Sequence, residues 1–296
     1  MKIGLGLPTF DEWGTREAIV RAAQLAEEDG WDSVWVTDHI LMAAHQQHPY
    51  GHIFEAVSTL SFVGGMTTRV KLGTSIIVLP QRNPIIVAKE FATLDALSNG
   101  RVILGVAAGW NEDEFRFLGT EPTGRGRRLD EGIAVIRELW TQPHPTFEGH
   151  YFKFRDTLFS PKPAQKNGIP IWLGGNSDTA IKRAARLGDG WHVTGATPER
   201  FREGVDLIRP RLNGRPFTFS LRVEVDASGQ LPSEFAGPDG SRRRRLPADI
   251  DAASKTIEAY GQIGVEHVVV VPVGASSEKM FEHLKMMGRE LLPRFR

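Results

Sequence analysis

Short apolar runs alternate with helical stretches from one end of this chain to the other, and nothing else in the sequence constrains its fold as strongly. The runs at 3–7, 33–36, 70–78, 102–106, 169–173, 190–194, 217–225 and 266–271 read as eight strands. In the helix at 16–28, Ala18, Ile19, Ala22, Ala23, Leu25 and Ala26 trace one apolar face, and Gly30 stops it. The stretch 84–97 has Pro84 in its first turn and Asn99-Gly100 after its end, the usual start–stop asymmetry of a helix. Further helices are predicted at 55–66, 111–118, 126–141, 178–187, from about 198, and at 277–292. Alternation of this kind implies parallel strands joined by crossover helices. Eight such units in 296 residues fit a single α/β domain, a (β/α)8 TIM barrel spanning the chain, better than an open doubly wound sheet.

Two insertions interrupt the repeat. After the fourth strand, Phe147, Tyr151, Phe152 and Phe154 around Gly149 suggest a small hairpin at 147–154. After the seventh, the Gly-, Pro-, Ser- and Arg-rich tract 227–246 reads as a flexible excursion. Lys plus Arg and Asp plus Glu number 36 each, so the balance of charge favours neither nucleic acid nor a membrane surface. The absence of Cys removes disulfides and thiolate chemistry, and it fits a reducing compartment. No apolar run approaches the ~18–20 residues of a membrane span. A cytoplasmic protein is the expectation.

Barrel geometry gathers the carboxyl ends of the strands on one face, where ligands sit. There, after the second strand, stand Asp38 and His39. An imidazole titrating near neutrality can move a proton, so the pair reads either as a catalytic dyad or as a loop histidine steadied by its neighbour. After the fifth strand, Gly174-Gly175-Asn176-Ser177 precedes a helix. That turn is either an anion site at a helix N-terminus or an ordinary capped strand–helix turn. Thr194, Gly195 and Ala196, with Thr197, are placed to form a second side of the same cradle. Trp110 lies beyond the fourth strand among glycines and is a candidate for the substrate pocket. His45, His48 and His52 tempt a metal reading, but Pro49 and Gly51 break the helix that such spacing needs, so His45 and His48 are assigned to a mobile substrate-facing loop and no metal is expected. The run Arg242–Arg245 follows the seventh strand, where it is expected to form part of a lid attracting an anionic cofactor tail or substrate.

These segments resemble the luciferase-like monooxygenase superfamily, and especially its deazaflavin (coenzyme F420)-dependent oxidoreductases. The resemblance rests on Trp35-Val-Thr-Asp-His39, Arg82-Asn-Pro-Ile-Ile-Val-Ala-Lys89, Leu94-Asp-Ala-Leu-Ser-Asn-Gly-Arg101 and Leu104-Gly-Val-Ala-Ala-Gly-Trp-Asn-Glu112. It extends through Arg125-Gly-Arg-Arg-Leu-Asp-Glu131, Ile171-Trp-Leu-Gly-Gly-Asn-Ser177 and Ala184-Ala-Arg-Leu-Gly-Asp-Gly-Trp191, covering roughly residues 3–195. It implies a (β/α)8 barrel with a flavin-like tricycle in its mouth. Asp38 would lie at the ring's edge and His39 would handle a proton. Ser75, Ile76, Ala107 and Gly109 would lie against the ring, and Gly174 to Ser177 with Thr194 to Ala196 would hold the phosphate. The family's third strand often carries a non-proline cis peptide, here matching Ser75–Ile76. The activity implied is hydride transfer between F420 and an unidentified small organic substrate. The alternatives are a reduced-FMN monooxygenase served by a separate reductase, and a flavin- or deazaflavin-binding protein without turnover. Relatives suggest a homodimer. Where the branch that oxidises glucose 6-phosphate has a carboxylate this chain has Trp110, and where it has an indole this chain has Ala43; both departures weigh against sugar-phosphate oxidation, and Trp110 suggests an apolar or planar substrate.

Overall fold

The computed structural model describes residues Met1 to Arg296. Its parallel strands are β1 (Lys2–Gly6), β2 (Ser33–Val36), β3 (Lys71–Thr74) with its continuation β4 (Ile77–Val78), β5 (Val102–Ala107), β8 (Ile171–Leu173), β9 (Gly190–Thr194), β10 (Thr218–Asp226) and β13 (His267–Val273). Each pairs with its neighbours in that order, and β13 pairs back onto β1, closing the barrel at eight positions. The helices α1 (Arg16–Asp29), α2 (Ala56–Met66), α3 (Pro84–Leu97), α4 (Glu112–Phe117), α5 (Arg125–Thr141), α6 (Asp178–Leu187), α7 (Pro198–Ile208), α8 (Ile250–Ile263) and α9 (Ser277–Met286) connect the strands or extend the connections. No helix is long and apolar enough to cross a membrane.

Local chemistry sets the boundaries. Asn83, Ser177 and Thr197 accept amide hydrogen bonds from the first turns of α3, α6 and α7, and Pro84 and Pro198 occupy first helical positions where no amide is needed. Gly30 ends α1 at φ 83°, the left-handed conformation that a Cβ disfavours. Helices and strands share one apolar core. Inside the barrel a second, smaller cluster contains Trp35, Trp172, Ile103 and Val269. Trp35 stacks on Trp172 at 5.4 Å and on His192 at 4.8 Å, forming an aromatic floor. Its indole lies across both neighbouring strands: a Cβ at Gly73 would come within 2.3 Å of the ring, and one at Gly4 within 2.7 Å of Nε1.

β3 and β4 are separated by a cis peptide at Ser75–Ile76, as the family resemblance implies. The aromatic hairpin is present as β6 (Phe147–Glu148) and β7 (Lys153–Phe154). The last helix is shorter than expected, passing after Met286 into a π-helical turn at Met287–Leu291.

The tract 227–246 departs from the expectation of a flexible excursion. It folds into a ribbon of β11 (Glu234–Ala236) antiparallel to β12 (Arg242–Leu246), and β12 pairs in parallel with β10 beyond the end of β9. Its arginines are neutralised where they fold. Arg242 pairs with Glu234, Arg243 with Asp239 at 2.9 Å, and Arg245 with Glu224 at 2.7 Å while lying 3.7 Å over the Phe235 ring. The run therefore serves mainly as a wall. Arg244 alone has no side-chain partner.

Candidate active site

His39 lies just beyond β2, 6% exposed, with Tyr50 tilted against its ring at 4.4 Å and Trp110 edge-on at 5.8 Å. Its carboxylate partner is not Asp38. Its Nδ1 lies 2.9 Å from Oε2 of Glu114, a fully buried residue in α4. The other Glu114 oxygen accepts the Ile40 amide at 2.6 Å and the Leu41 amide at 3.3 Å, and Gln81 Nε2 donates to Oε2 at 3.3 Å. Burial opposes ionisation of Glu114, but the hydrogen bonds from His39, the Ile40 amide and Gln81 together outweigh it and hold the carboxyl below its ordinary range. A carboxylate at that position accepts a hydrogen bond from Nδ1–H, which leaves Nε2 as the nitrogen for chemistry; Nε2 has no hydrogen bond to protein.

Asp38 does another job. Its Oδ1 takes Arg82 at 2.6 Å, and its Oδ2 takes the Arg82 Nε at 3.2 Å and the Val78 amide at 3.0 Å. Arg82 continues to Glu55 at 2.9 Å, and Glu55 in turn caps α2. Both Asp38 oxygens are thus occupied by groups that hold the β4 turn and α3 in place, and Asp38 and His39 form no hydrogen-bonded dyad. Asp38 thus positions Arg82 and the β4 turn instead of pairing with His39.

The remaining cofactor candidates converge. Ser75 Oγ meets His192 Nε2 at 2.8 Å, and His192 Nδ1 meets Ser220 Oγ at 2.8 Å, pinning the bulge to the barrel floor. Burial, reinforced by its neighbours His267 and the charged Arg222, pushes the His192 imidazole down to about 3, so it stays neutral. Ile76, Ala107 and Gly174 surround one spot: a Cβ at Gly174 would lie 3.3 Å from both Ala107 and Ile76. Gly109 has φ 79°, and a Cβ there would press on Val78 and Phe115, so it shapes the turn after β5.

At the cradle, Ser177 caps α6, and the buried Asn176 Oδ1 has no hydrogen-bond partner. Arg200, which the sequence did not mark, sits on the rim with Nε 3.0 Å from the Asn176 carbonyl and a second nitrogen 2.7 Å from Asp178. Gly195 and Ala196 have committed backbone groups. The Gly195 amide donates to the Arg222 carbonyl, its carbonyl accepts the Arg244 amide, and the Ala196 carbonyl accepts the Tyr260 hydroxyl at 2.7 Å. Thr194 and Thr197 stand on either side of this backbone frame.

A cavity of about 470 Å³ opens at the ends of β1, β10 and β13, next to the cradle along the barrel rim, since β10 pairs with β9. Tyr50, Phe10, Trp13, Phe235, Arg222 and His48 are among its lining residues, so Tyr50 touches both the cavity and His39. His48 stands on its rim, 3.5 Å from Asp11. His45 points elsewhere, exposed and 3.7 Å from Asp113. Trp110 contacts His39 but does not line this cavity.

The molecule belongs to the broad class of (β/α)8 barrels, with an imidazole–carboxylate pair, the glycine-rich turn before α6 and a cavity on one face. Within it, this chain belongs to the luciferase-like monooxygenase family, whose model matches residues 3–228. The chain is 30% identical over 329 residues to an F420-dependent glucose-6-phosphate dehydrogenase of Amycolatopsis mediterranei, covering 97% of this chain and 96% of that one. A protein of the same description from Microbacterium testaceum is 31% identical over 314 residues, covering 92% and 91%. Among solved structures, an F420-dependent secondary alcohol dehydrogenase in complex with an F420-acetone adduct superposes with a TM-score of 0.82 at 22% identity, covering 100% of this chain and 99% of that one. The FMN-bound oxygenating constituent of 3,6-diketocamphane monooxygenase from Pseudomonas putida gives a TM-score of 0.78 at 14% identity, covering 99% and 98%. Both superpositions are likenesses of fold.

Proposed function

We propose that this protein is an oxidoreductase that uses a deazaflavin of the F420 type to transfer hydride to or from a small organic substrate. The observation that carries this reading is the buried His39–Glu114 pair, set between Tyr50 and Trp110 beside the cavity and facing the same barrel mouth as the cradle. The near full-length similarity to proteins named F420-dependent dehydrogenases favours deazaflavin over FMN.

The residues fit such a cofactor. The α6 N-terminus suits a phosphate, and the orphaned Asn176 Oδ1 can accept from a hydroxyl of its ribityl linker, with Arg200, itself paired with Asp178 and Glu203, bracing the rim and Thr194 and Thr197 on the neighbouring strand end. The floor at Ile76, Ala107 and Gly174 is kept low by the missing side chain at 174 and suits the face of a planar ring. When bound, the deazaflavin supplies the hydride chemistry. The chain supplies the rest. Glu114 fixes the tautomer of His39 and stabilises it when charged. His39 Nε2 then takes the hydroxyl proton of an alcohol being oxidised, or returns it in the reverse direction. Tyr50 and Trp110 cover the imidazole and limit water around it.

Titrating the purified protein with F420 and with FMN tests the reading. Tight binding of F420, with FMN at least tenfold weaker, is expected. Tight binding of FMN alone would instead support the two-component monooxygenase.

A further inference from the structure

The cavity holds one charge that the fold does not neutralise. Arg222 lies in β10, opposite Thr194 of β9 and Val269 of β13, and shares the inward face of its strand with Ser220 and Glu224. It is 5% exposed, lines the cavity, and its guanidinium forms no hydrogen bond or ion pair with any protein group. The other charged groups around it are engaged. Glu224, two residues along the same face, is held by Arg245 at 2.7 Å; Arg243 is held by Asp239 at 2.9 Å; Asp11 lies 3.5 Å from His48. A buried cation without a partner costs several kcal/mol. A fold keeps such a group where a ligand completes the pair.

We propose that Arg222 is the anchor for a carboxylate on the substrate, and that the substrate is a small organic acid with an apolar or aromatic body. This rests on the oxidoreductase reading and names the substrate class of the same site. The planar guanidinium matches a carboxylate with two parallel hydrogen bonds. The walls select the body: Leu7, Phe10, Trp13, Tyr50, Phe235 and Met280 present rings and aliphatic carbon, where a polyhydroxylated substrate would need hydrogen-bonding partners around its hydroxyls. Tyr50 ties this chamber to His39, so a substrate held by its acid group at Arg222 has its other end directed toward the imidazole.

The test uses benzoate, its neutral isostere benzamide, and phenyl phosphate, titrated calorimetrically into wild type, Arg222→Gln and Arg222→Lys, each also titrated with F420. Benzoate is expected to bind wild type at least tenfold tighter than benzamide. Arg222→Gln should abolish that preference, Arg222→Lys should keep part of it, and neither should change F420 affinity more than about twofold. Removing the unpaired charge should also leave Arg222→Gln as thermostable as wild type or more so, which a purely structural arginine would not do. Equal binding of benzoate and benzamide to wild type overturns the proposal. So does a tenfold preference for phenyl phosphate over benzoate, or a loss of F420 affinity in Arg222→Gln as large as the loss for benzoate. Intact F420 binding without benzoate discrimination defeats this inference alone, whereas absent F420 binding defeats the cofactor reading and leaves the benzoate comparison standing.

Discussion

Replacing Glu114 by Gln changes one atom and reverses the hydrogen-bond logic around His39. The wild-type carboxylate accepts four hydrogen bonds, two at each oxygen. In the variant the amide oxygen can keep the Ile40 and Leu41 amides, which places the NH2 against His39 Nδ1 and Gln81 Nε2. Gln81 is then met donor to donor. His39 can answer only by accepting at Nδ1, which moves the neutral imidazole's proton to Nε2. Two bonds to a charged acceptor, each contributing about 1.5–3 kcal/mol, are lost and one weaker bond is gained, for a net destabilisation of roughly 2–4 kcal/mol. For a chain of this size that lowers Tm by about 4–12 °C. With a proton on Nε2 the imidazole can no longer accept one from an alcohol, so turnover in that direction should fall by roughly 10²–10⁴-fold. The tautomer can be read without a substrate, by long-range 1H–15N correlation of the histidine ring nitrogens at pH 8.5, where the free imidazole is neutral. A resonance pattern with protonated Nδ1 is expected for His39 in wild type and with protonated Nε2 in the variant. If Nε2 is the protonated nitrogen in wild type, or if Glu114→Gln leaves the pattern unchanged, the assigned role of Glu114 is wrong.

Two further outcomes follow from the buried charges. Asp38→Asn removes a bidentate partner from Arg82, which stays charged because Asp38 and Glu55 outweigh its burial, and should cost about 3–5 kcal/mol in urea unfolding; a variant with wild-type stability but no turnover would restore Asp38 to the chemistry. His192 and His267, pushed down to about 3 and about 4 by burial, bind protons more readily in the unfolded chain, so stability is full above the ordinary histidine value and is lost as pH falls through 6 toward 4. At pH 4.5 each contributes a loss on the order of 2–3 kcal/mol, and His192→Asn should remove about half of the combined drop between pH 7 and 4.5; an unchanged drop refutes the buried-neutral assignment.

The barrel was readable because its signals are local. Apolar runs, capping residues such as Asn83 and Ser177, and Pro84 after the first of these mark α3, α6 and β9 to the residue. Gly174 and Ser177 were visible for the same reason, since a turn before a helix carries its own chemistry. Glu114 was hidden because Glu112, Asp113 and Glu114 read as the acidic first turn of a short helix, and its partner lies 75 positions away. Asp38 misled through adjacency: neighbours in an extended backbone point their side chains in opposite directions, so Asp38 turned to Arg82 while His39 turned to Glu114. The ribbon was unreadable from composition, because four consecutive arginines form a strand only when Glu224, Glu234 and Asp239 meet them in space. Arg222 has the opposite difficulty, for a single arginine in an apolar strand shows its significance only when no partner is found.

The ribbon also separates two inheritances within one molecule. The residues that fit the cofactor ring, Ile76, Ala107 and Gly174, belong to barrel strands or strand ends on one arc, and changing them disturbs closure of the sheet. Phe235, Arg243 and Arg245 wall the proposed substrate chamber from a hairpin appended to an edge of β10, touching the glycine-rich turn after β9 through the Ala196–Arg243 bridge and the Gly195 carbonyl. A lineage can lengthen, shorten or recharge that hairpin, and so reshape the proposed substrate chamber, while the residues proposed to hold the cofactor ring stay untouched.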